Sequence, residues 1–309
     1  MRLTFGILMS LMAGVAHANT DLTAAIENVR TACGNISAEL SDMKKMAGIT
    51  TAVTGVGTVA GGVALGTGLA KANVDKEIAE LEQQLAKLDA DRNLQTITIS
   101  ATNLQNELNQ YQASIQTLSK SELQEQKSEA EQKSKKLGNI RTGTMAAATA
   151  TNIAGAVMSG TNRVKGDLKQ QIDECLMSVK TLSNVRMQAR IDGSATDTDL
   201  ARAENIIRAC DAWTTVDISS INKRSTGATV SAGIGAGLGL TGTITSASAN
   251  SKDVRDGDAD KEKKLNAAAN VLAGGTTAAG LSATIFNATQ ISAIKRAATV
   301  ADECEGALK

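Results

Sequence analysis

The chain has 309 residues, with 32 basic and 32 acidic side chains, no proline, one histidine and only four aromatic residues. Zero formal net charge removes the counterion release that drives binding to nucleic acid. The one histidine, His17, lies in a stretch that we expect to be cleaved off. A Ser-His-Asp site and a histidine-ligated zinc site are therefore excluded from the mature chain.

Residues 1–18 have the features of a secretory signal peptide. Arg2 precedes an apolar stretch from Leu3 to Val15, and residues 16–18 (AHA) offer a cleavage site. This stretch is shorter than the roughly 20 residues that span a bilayer. We therefore expect export to the periplasm, the cell envelope or the medium. An even number of cysteines in an oxidising compartment predicts disulfides, so Cys33, Cys175, Cys210 and Cys304 should form two.

Self-comparison indicates an internal duplication. Residues 27–33 (ENVRTAC) resemble residues 204–210 (ENIIRAC), and residues 173–175 (DEC) are repeated at 302–304. Each repeat thus opens and closes with a cysteine-bearing segment, which is typical of duplicated structural units. The predicted boundaries are a first repeat at 19–185, a connector at 186–200 and a second repeat at 201–309.

Four long stretches without charge lie between the paired cysteines. We call them the uncharged arms: 47–70 and 142–162 in the first repeat, 225–250 and 265–294 in the second. The absence of proline and the many Ala, Leu, Lys, Glu and Gln residues predict helix almost throughout. Strand is the competing prediction for residues 51–70, because glycine and β-branched residues both weaken helices.

The cysteine positions suggest how the chain folds back. Residues joined across a hairpin lie equally far from its tip, and the midpoint of Cys210 and Cys304 is Gly257, in a turn-like Asp-Gly-Asp sequence. The midpoint of Cys33 and Cys175 is residue 104, and this places the two arms of the first repeat side by side. Of the three pairings that four cysteines allow, we prefer Cys33 with Cys175 and Cys210 with Cys304.

The first repeat is longer than the second by a polar insert, residues 71–137. Two groups of apolar residues in it are spaced by alternate steps of four and three, which predicts coiled-coil seams. The seam residues are Val74, Ile78, Leu81, Leu85, Leu88, Leu104, Leu108, Tyr111, Ile115 and Leu118. A bend at residues 91–100 is expected to fold the two seams against each other, either as an intramolecular stalk or as a surface for a partner.

Glycines in the uncharged arms recur four residues apart, which puts small residues on one helix face where backbones can approach closely. The residues are Gly57, Gly61, Gly62, Gly66, Gly233, Gly235, Gly237 and Gly239. Such contacts form in water and in a bilayer. The arms are long enough to span a membrane, but their scarcity of Leu and Ile and their many Thr and Ser residues make insertion of an isolated arm marginal.

We therefore predict an all-α protein of two duplicated antiparallel helical hairpins with Gly/Ala-rich arms. The first hairpin carries a coiled-coil tip, and each is closed at its base by a disulfide. The expected function is non-enzymatic: an exported envelope or secreted protein that makes structural or protein–protein contacts, with a partner or with itself. A membrane-inserting, pore-forming or channel-like protein is the alternative. We expect no cofactor, metal, nucleic acid or small-molecule substrate.

Overall fold

The computed structural model describes residues 21–97, 103–255 and 257–309, without the side chains of 91–97, 103–112, 114–116 and 118. These residues form helices and no strand. The helices are α1 (21–33), α2 (Ile36–Ile97), α3 (Asn103–Thr161), α4 (Gly166–Ile191), α5 (Asp197–Asp211), a 3-10 turn (Ala212–Thr215), α6 (Ile218–Ala249), α7 (Lys252–Arg255) and α8 (Ala259–Leu308). The segment 51–70 is thus helical within α2, and the predicted signal peptide lies outside the described residues.

The two repeats are joined by a short turn at residues 192–196. Gly193 after α4 has a φ of 62°, a left-handed conformation that glycine adopts without a steric penalty. Thr196 then caps α5, because its hydroxyl accepts a hydrogen bond from the Asp199 amide at 3.2 Å. Helices α4 and α5 occupy the remainder of the predicted connector.

Helices α2 and α3 form the first antiparallel hairpin. Four side-chain contacts fix its register: Gly68 against Arg141, Asp75 with Ser134, Glu82 with Lys127, and Asp89 with Lys120. In each pair, the mean of the two residue numbers lies within one residue of 104, which is also the midpoint of Cys33 and Cys175. Successive pairs are seven residues apart on both helices, which is the spacing of a coiled coil.

Helices α6 and α8 form the second hairpin, and its register also follows the cysteine arithmetic. A Cβ on Gly235 would contact Ala279, one on Gly242 would contact Leu272, and one on Gly227 would contact Phe286. These pairs are centred within one residue of Gly257, which lies in the turn between α7 and α8. The predicted pairing of the cysteines is confirmed, with Cys33 bonded to Cys175 and Cys210 bonded to Cys304.

The chain divides into two compact units, and each takes segments from both repeats. Unit 1 comprises the residues up to Thr54, Ala154–Ser231 and Ser282–Lys309; unit 2 comprises Gly55–Ile153 and Ala232–Leu281. Unit 1 has a conventional apolar core around the two disulfides. The largest buried members of this core are Leu22, Ile36, Leu40, Leu168, Leu182, Ile206, Trp213, Ile221 and Ile294.

Unit 2 is a four-helix arrangement in which α2 contacts α3, α3 contacts α6, α6 contacts α8, and α8 contacts α2. Gly239 against Thr149 joins α6 to α3, and Gly61 against Thr277 joins α2 to α8. In each of these four helix pairs the two helices run antiparallel. Because α8 begins only at Ala259, α2 and α3 continue beyond the other two helices as a two-helix extension.

The predicted pairing of the two seams was wrong. Helix α2 remains helical to Ile97, so residues 91–97 do not bend. Glu82 and Asp89 form ion pairs with Lys127 and Lys120. The first seam therefore lies along the charged segment 120–137 and not along the second seam. Residues 98–100 of the predicted bend lie outside the described residues.

Candidate functional site

The interior of unit 2 follows a coiled-coil spacing but lacks coiled-coil side chains. Buried positions on α2, α6 and α8 alternate by three and four residues, the spacing that normally carries Leu, Ile or Val in water-soluble coiled coils. Within the arms the buried residues of these three helices are small or polar, and Met145 of α3 is buried against Ala64 and Ala273. On these three helices they are Gly57, Gly61, Ala64, Gly68, Lys71; Ala232, Gly235, Gly239, Gly242, Ser246, Ala249; and Asn266, Ala269, Ala273, Thr276, Gly280.

Eleven large apolar side chains of unit 2 lie on its outside. Val59 is 68% exposed, Val271 is 75% exposed and Ile244 is 60% exposed. The other exposed apolar residues are Val56, Val63, Leu69, Ile140, Ile153, Ile234, Leu240 and Leu281. They are distributed over all four helices, so we call this set the apolar outer surface of unit 2.

In the arms, this distribution differs from the apolar interior of a typical water-soluble bundle. A folded protein in water exposes single apolar residues freely, but a broad apolar surface combined with a polar interior is unusual and marks an interaction surface. Helices that pack in a bilayer have this combination, since lipid solvates the apolar face and small residues let the backbones approach. In the described residues, one helical stretch, 21–90 over α1 and α2, is long and apolar enough to cross a membrane by length and composition, and 28% of its most apolar window is buried.

The structure divides the eight predicted packing glycines into two groups. A Cβ on Gly57, Gly61, Gly235 or Gly239 would come within 2.5 to 2.8 Å of a side-chain atom on a neighbouring helix. A Cβ on Gly62, Gly66, Gly233 or Gly237 would meet no atom within 4 Å. The second group does not pack, because these glycines lie one or two residues from a packed position. Each residue along a helix rotates the side-chain direction by about 100°, so a shift of one or two residues moves it off the contact face.

The same contacts occur at glycines that the sequence interpretation did not single out. Gly68, Gly242, Gly275 and Gly280 each lie against a side chain of another helix in unit 2, and Gly138 lies against Asn250, which directly follows α6. The available signal at Gly68, Gly242 and Gly280 was their place in the three-and-four spacing of the interior. That signal is hidden in a composition rich in glycine throughout.

A buried polar cluster connects all four helices at the end of the uncharged arms. Lys71 of α2 is 1% exposed, and its ammonium donates to Asp75 at 2.7 Å and to Glu262 of α8 at 2.8 Å. Arg141 of α3 is fully buried, and its guanidinium donates to Ser246 of α6 at 2.9 Å. Two positive and two negative charges thus balance within the cluster.

Arg141 reaches two further partners on α8. Its guanidinium donates to Asn266 at 2.6 Å and to Asn270 at 3.3 Å. Burial lowers the pKa of Arg141, while the charges of Asp75 and Glu262 act in the opposite direction. Arginine stays protonated in proteins, so the guanidinium is a permanent charge held by these amide and hydroxyl oxygens.

Asn152 of α3 is the least satisfied polar residue in the described part of unit 2. It is fully buried, and neither its amide oxygen nor its amide nitrogen has a hydrogen-bond partner. Its amide lies beside Gly57, Gly235 and Gly280 on the three other helices. An unpaired amide costs stability in a protein interior.

The first predicted seam lies in the extension, where Val74 is 5% exposed and Leu81 is 7% exposed. Ile78, Leu85 and Leu88 are partly buried. The side chains of the second seam, Leu104, Leu108, Tyr111, Ile115 and Leu118, lie outside the described set. Hydrogen bonding to Glu82 raises the pKa of Lys127.

The disulfides connect α1 to α4 and α5 to α8 in the apolar core of unit 1, which is compatible with an oxidising compartment. Ser37 of α2 also donates a hydrogen bond to Asp302 of α8 in this unit. Comparison of the chain with known protein families, with curated proteins and with solved structures finds no match.

Proposed function

We propose that this chain is a non-enzymatic, exported membrane protein that inserts its four uncharged arms into a bilayer as an assembled helical bundle. The observation that carries the proposal is the distribution of side chains in unit 2. Its interior holds Lys71, Arg141, Asn152 and many small residues, while eleven valine, isoleucine and leucine residues are exposed on its outside.

The dimensions of the arms support this proposal. At about 1.5 Å per helical residue, stretches of 21 to 30 residues are roughly 30 to 45 Å long. The hydrocarbon core of a bilayer is about 30 Å thick. Charged residues lie at both ends of the arms, with Lys45 and Lys71 on either side of the first arm and Lys264 and Lys295 on either side of the last.

The assembled bundle also resolves the difficulty that each arm has with insertion alone. Threonine, serine and asparagine disfavour insertion of an isolated helix. In unit 2 the polar residues Asn266, Thr276 and Ser246 are buried among the helices, so lipid does not contact them. Insertion is therefore proposed as a step of the folded bundle, with the polar faces kept inside.

Fractionation of cells that express the full chain tests the proposal. We expect the protein to remain in the membrane pellet after an alkaline carbonate wash. Complete release of the folded protein by that wash would contradict insertion.

Two variants with the same charge change sharpen this test. Val59→Lys with Val271→Lys places charges on the apolar outer surface, and each charge costs about 2.5–3.5 kcal/mol at the centre of a membrane helix. We expect that variant to be released. The control, Ser121→Lys with Gln132→Lys, adds the same charges at exposed positions of the extension and should stay in the pellet.

The two-helix extension supports a second role, contact with a protein partner or with another copy. Beyond the start of α8 it is formed by α2 and α3 alone, and its ion pairs join Glu82 to Lys127 and Asp89 to Lys120. In the test variant, a short loop replaces residues 80–129. If the variant stays in the membrane fraction but no longer recovers its protein partners, the extension is the partner-binding element. Unchanged partner recovery would contradict the role.

A further inference from the structure

The four uncharged arms end in unit 1 at basic residues, which we call the basic belt. Each arm has two of them next to its end. The belt consists of Lys44 and Lys45 of α2, Arg163 and Lys165 in the loop after α3, Lys223 and Arg224 of α6, and Lys295 and Arg296 of α8. Seven of the eight are exposed, and Arg224 is half-buried. The zero net charge of the whole chain therefore conceals a strongly positive region in unit 1.

Hydrogen bonds bring the basic residues of α3, α6 and α8 together. The Asn222 amide oxygen accepts a hydrogen bond from the Val164 backbone amide at 2.8 Å. Arg163 directly precedes Val164 and Lys223 directly follows Asn222, so these two cations lie at the same level. The Arg224 guanidinium donates to a backbone carbonyl of α8 at 2.6 Å, which connects that helix to the same level.

The basic residues of α2 and α8 are matched by the antiparallel register of the two helices. Ser37 of α2 donates a hydrogen bond to Asp302 of α8. Lys44 lies seven residues after Ser37, and Lys295 lies seven residues before Asp302. Seven residues are almost two complete helical turns, so Lys44 and Lys295 lie level with each other on the side of that contact toward the arms.

Few carboxylates offset the charge of the belt. The nearest carboxylates in the sequence are Asp42, Asp167, Asp217 and Asp302. Among the described residues, Lys45 is the only member of the belt that forms an ion pair, with Asp42 at 3.2 Å. At the other end of the same arm, by contrast, Lys71 is buried and paired with two carboxylates. The two ends of the arms therefore differ in their electrostatic character.

Exposed apolar residues lie on the arm side of the belt on all four helices. They are Ile49 of α2, Val157 of α3, Val230 of α6 and Ile285 of α8, each more than half exposed. A shallow groove on α2 combines both kinds of surface, since Lys44, Lys45, Gly48 and Ile49 line it. A phospholipid has a matching order of groups, a phosphate followed by acyl chains, whereas a nucleic acid or an acidic peptide would leave the apolar residues unused.

We propose that the basic belt binds the headgroups of anionic phospholipids. This inference rests on the proposed insertion of the arms and names the class of lipid that the inserted protein prefers. Each basic residue near an anionic membrane surface contributes roughly a fivefold gain in binding. The attraction falls off within a Debye length, about 10 Å at 0.1 M salt, so the lipid headgroups must lie beside the belt.

The test measures flotation of the full chain, with its disulfides intact, on vesicles of phosphatidylcholine with and without phosphatidylglycerol. The belt variant removes one exposed cation from each of the four pairs, and none of the four belongs to an ion pair in the described residues. Its substitutions are Lys44→Gln, Arg163→Gln, Lys223→Gln and Lys295→Gln. The control removes four exposed lysines elsewhere, with Lys76→Gln, Lys133→Gln, Lys135→Gln and Lys136→Gln.

We expect phosphatidylglycerol to strengthen vesicle binding of the parent and the control by at least tenfold, and the belt variant to lose at least tenfold in affinity for these vesicles. Inorganic phosphate at constant ionic strength should not release the parent. Equal affinity of the belt variant and the parent would overturn the proposal, as would equal losses in the belt variant and the control. Release by inorganic phosphate would also overturn it, because the ligand would then be a free anion.

Carbonate washing of the floated vesicles separates this inference from membrane insertion. Parent protein that resists the wash but shows no preference for phosphatidylglycerol would overturn the lipid site and leave insertion standing. Parent protein that prefers phosphatidylglycerol through the belt but is released by the wash would support the lipid site and contradict insertion.

Discussion

Lys71 of α2 and Glu262 of α8 form an ion pair, with 2.8 Å between Nζ and Oε1, at the level where unit 2 changes from four helices to two. Above this level only α2 and α3 continue, so the packing of a four-helix interior must give way to that of a two-helix seam. The buried charges of Lys71 and Arg141, and their partners on all four helices, occupy this transition. They therefore fix the register of the bundle there.

Removal of the Lys71 ammonium should strongly destabilise unit 2. In Lys71→Met, the partly buried Glu262 and Asp75 carboxylates lose their counter-charge. Breaking a fully buried pair costs about 3–5 kcal/mol, so we expect a loss of up to that size. Unfolding in detergent micelles, followed by circular dichroism, measures the loss. The control is Lys45→Met, because Lys45 pairs with Asp42 on an exposed surface and such pairs contribute about 0–1 kcal/mol. Equal losses in the two variants would contradict the assigned role.

The glycine contacts predict opposite outcomes for adjacent residues. In Gly61→Leu, the new side chain meets Thr277 of α8, with its Cβ 2.8 Å from the threonine hydroxyl, and overpacking of this kind costs about 1–3 kcal/mol. In Gly62→Leu, the side chain enters open space, and the higher helix propensity of leucine adds up to about 1 kcal/mol of stability. Unfolding of the two variants in micelles compares them directly. Destabilisation by Gly62→Leu would show that this face is also packed.

Replacement of the unpaired amide at Asn152 should stabilise unit 2. Leucine has a similar size, and Asn152→Leu removes two buried polar atoms that have no partner, which is worth about 1–3 kcal/mol. Asn287→Leu is the matched control, since the Asn287 amide oxygen accepts a hydrogen bond from Ser159 at 3.1 Å and its loss should destabilise. A loss of stability in Asn152→Leu would mean that the amide has a bound partner in solution.

The start of α6 predicts a specific response to acid. The hydroxyl of Ser219 and then the amide of Ser220 donate to Asp217, and these bonds lower the pKa of its carboxyl group. Because the folded-state pKa is lower than the unfolded value, about 3.9, the carboxylate stabilises the fold above that value. This stabilisation is lost as pH falls through the folded-state pKa.

The measurement for Asp217 compares unfolding between pH 2 and pH 6 in the parent and in Asp217→Asn. Asparagine still caps a helix but does not titrate, so the variant should lose less stability on acidification than the parent. An identical acid dependence in the two proteins would contradict a lowered pKa at this position.

The cysteine spacing predicted the pairing of the cysteines and the side-by-side arrangement of the arms for a simple physical reason, whereas the seam spacing misplaced the first seam. Two helices joined by a short turn lie antiparallel, so the midpoint in sequence between two disulfide-linked residues gives the position of the hairpin tip. The position of Gly257 between α7 and α8 and the centring of Glu82 and Lys127 near residue 104 follow from that arithmetic.

The interior of unit 2 could not be predicted in the same way. Periodicity is normally detected through apolar residues, and it was found where Val74 and Leu81 carry it. In the arms the same spacing is carried by residues such as Gly61, Ala64 and Gly68, which give no hydrophobic signal. Arg141 directly precedes an arm in the sequence, and its position opposite Gly68, which leaves room for its side chain, accounts for its burial.

Quenching of tryptophan fluorescence by brominated lipid tests membrane insertion most directly. The chain has a single tryptophan, Trp213, buried in unit 1. Its replacement by phenylalanine leaves a background into which one tryptophan is introduced at Val59 or Val271 on the apolar outer surface, or at Gln132 on the extension as control. In vesicles of bromine-labelled phosphatidylcholine, we expect strong quenching at positions 59 and 271 and little at position 132. Equal, weak quenching at all three positions of a helical, vesicle-bound protein would contradict the account.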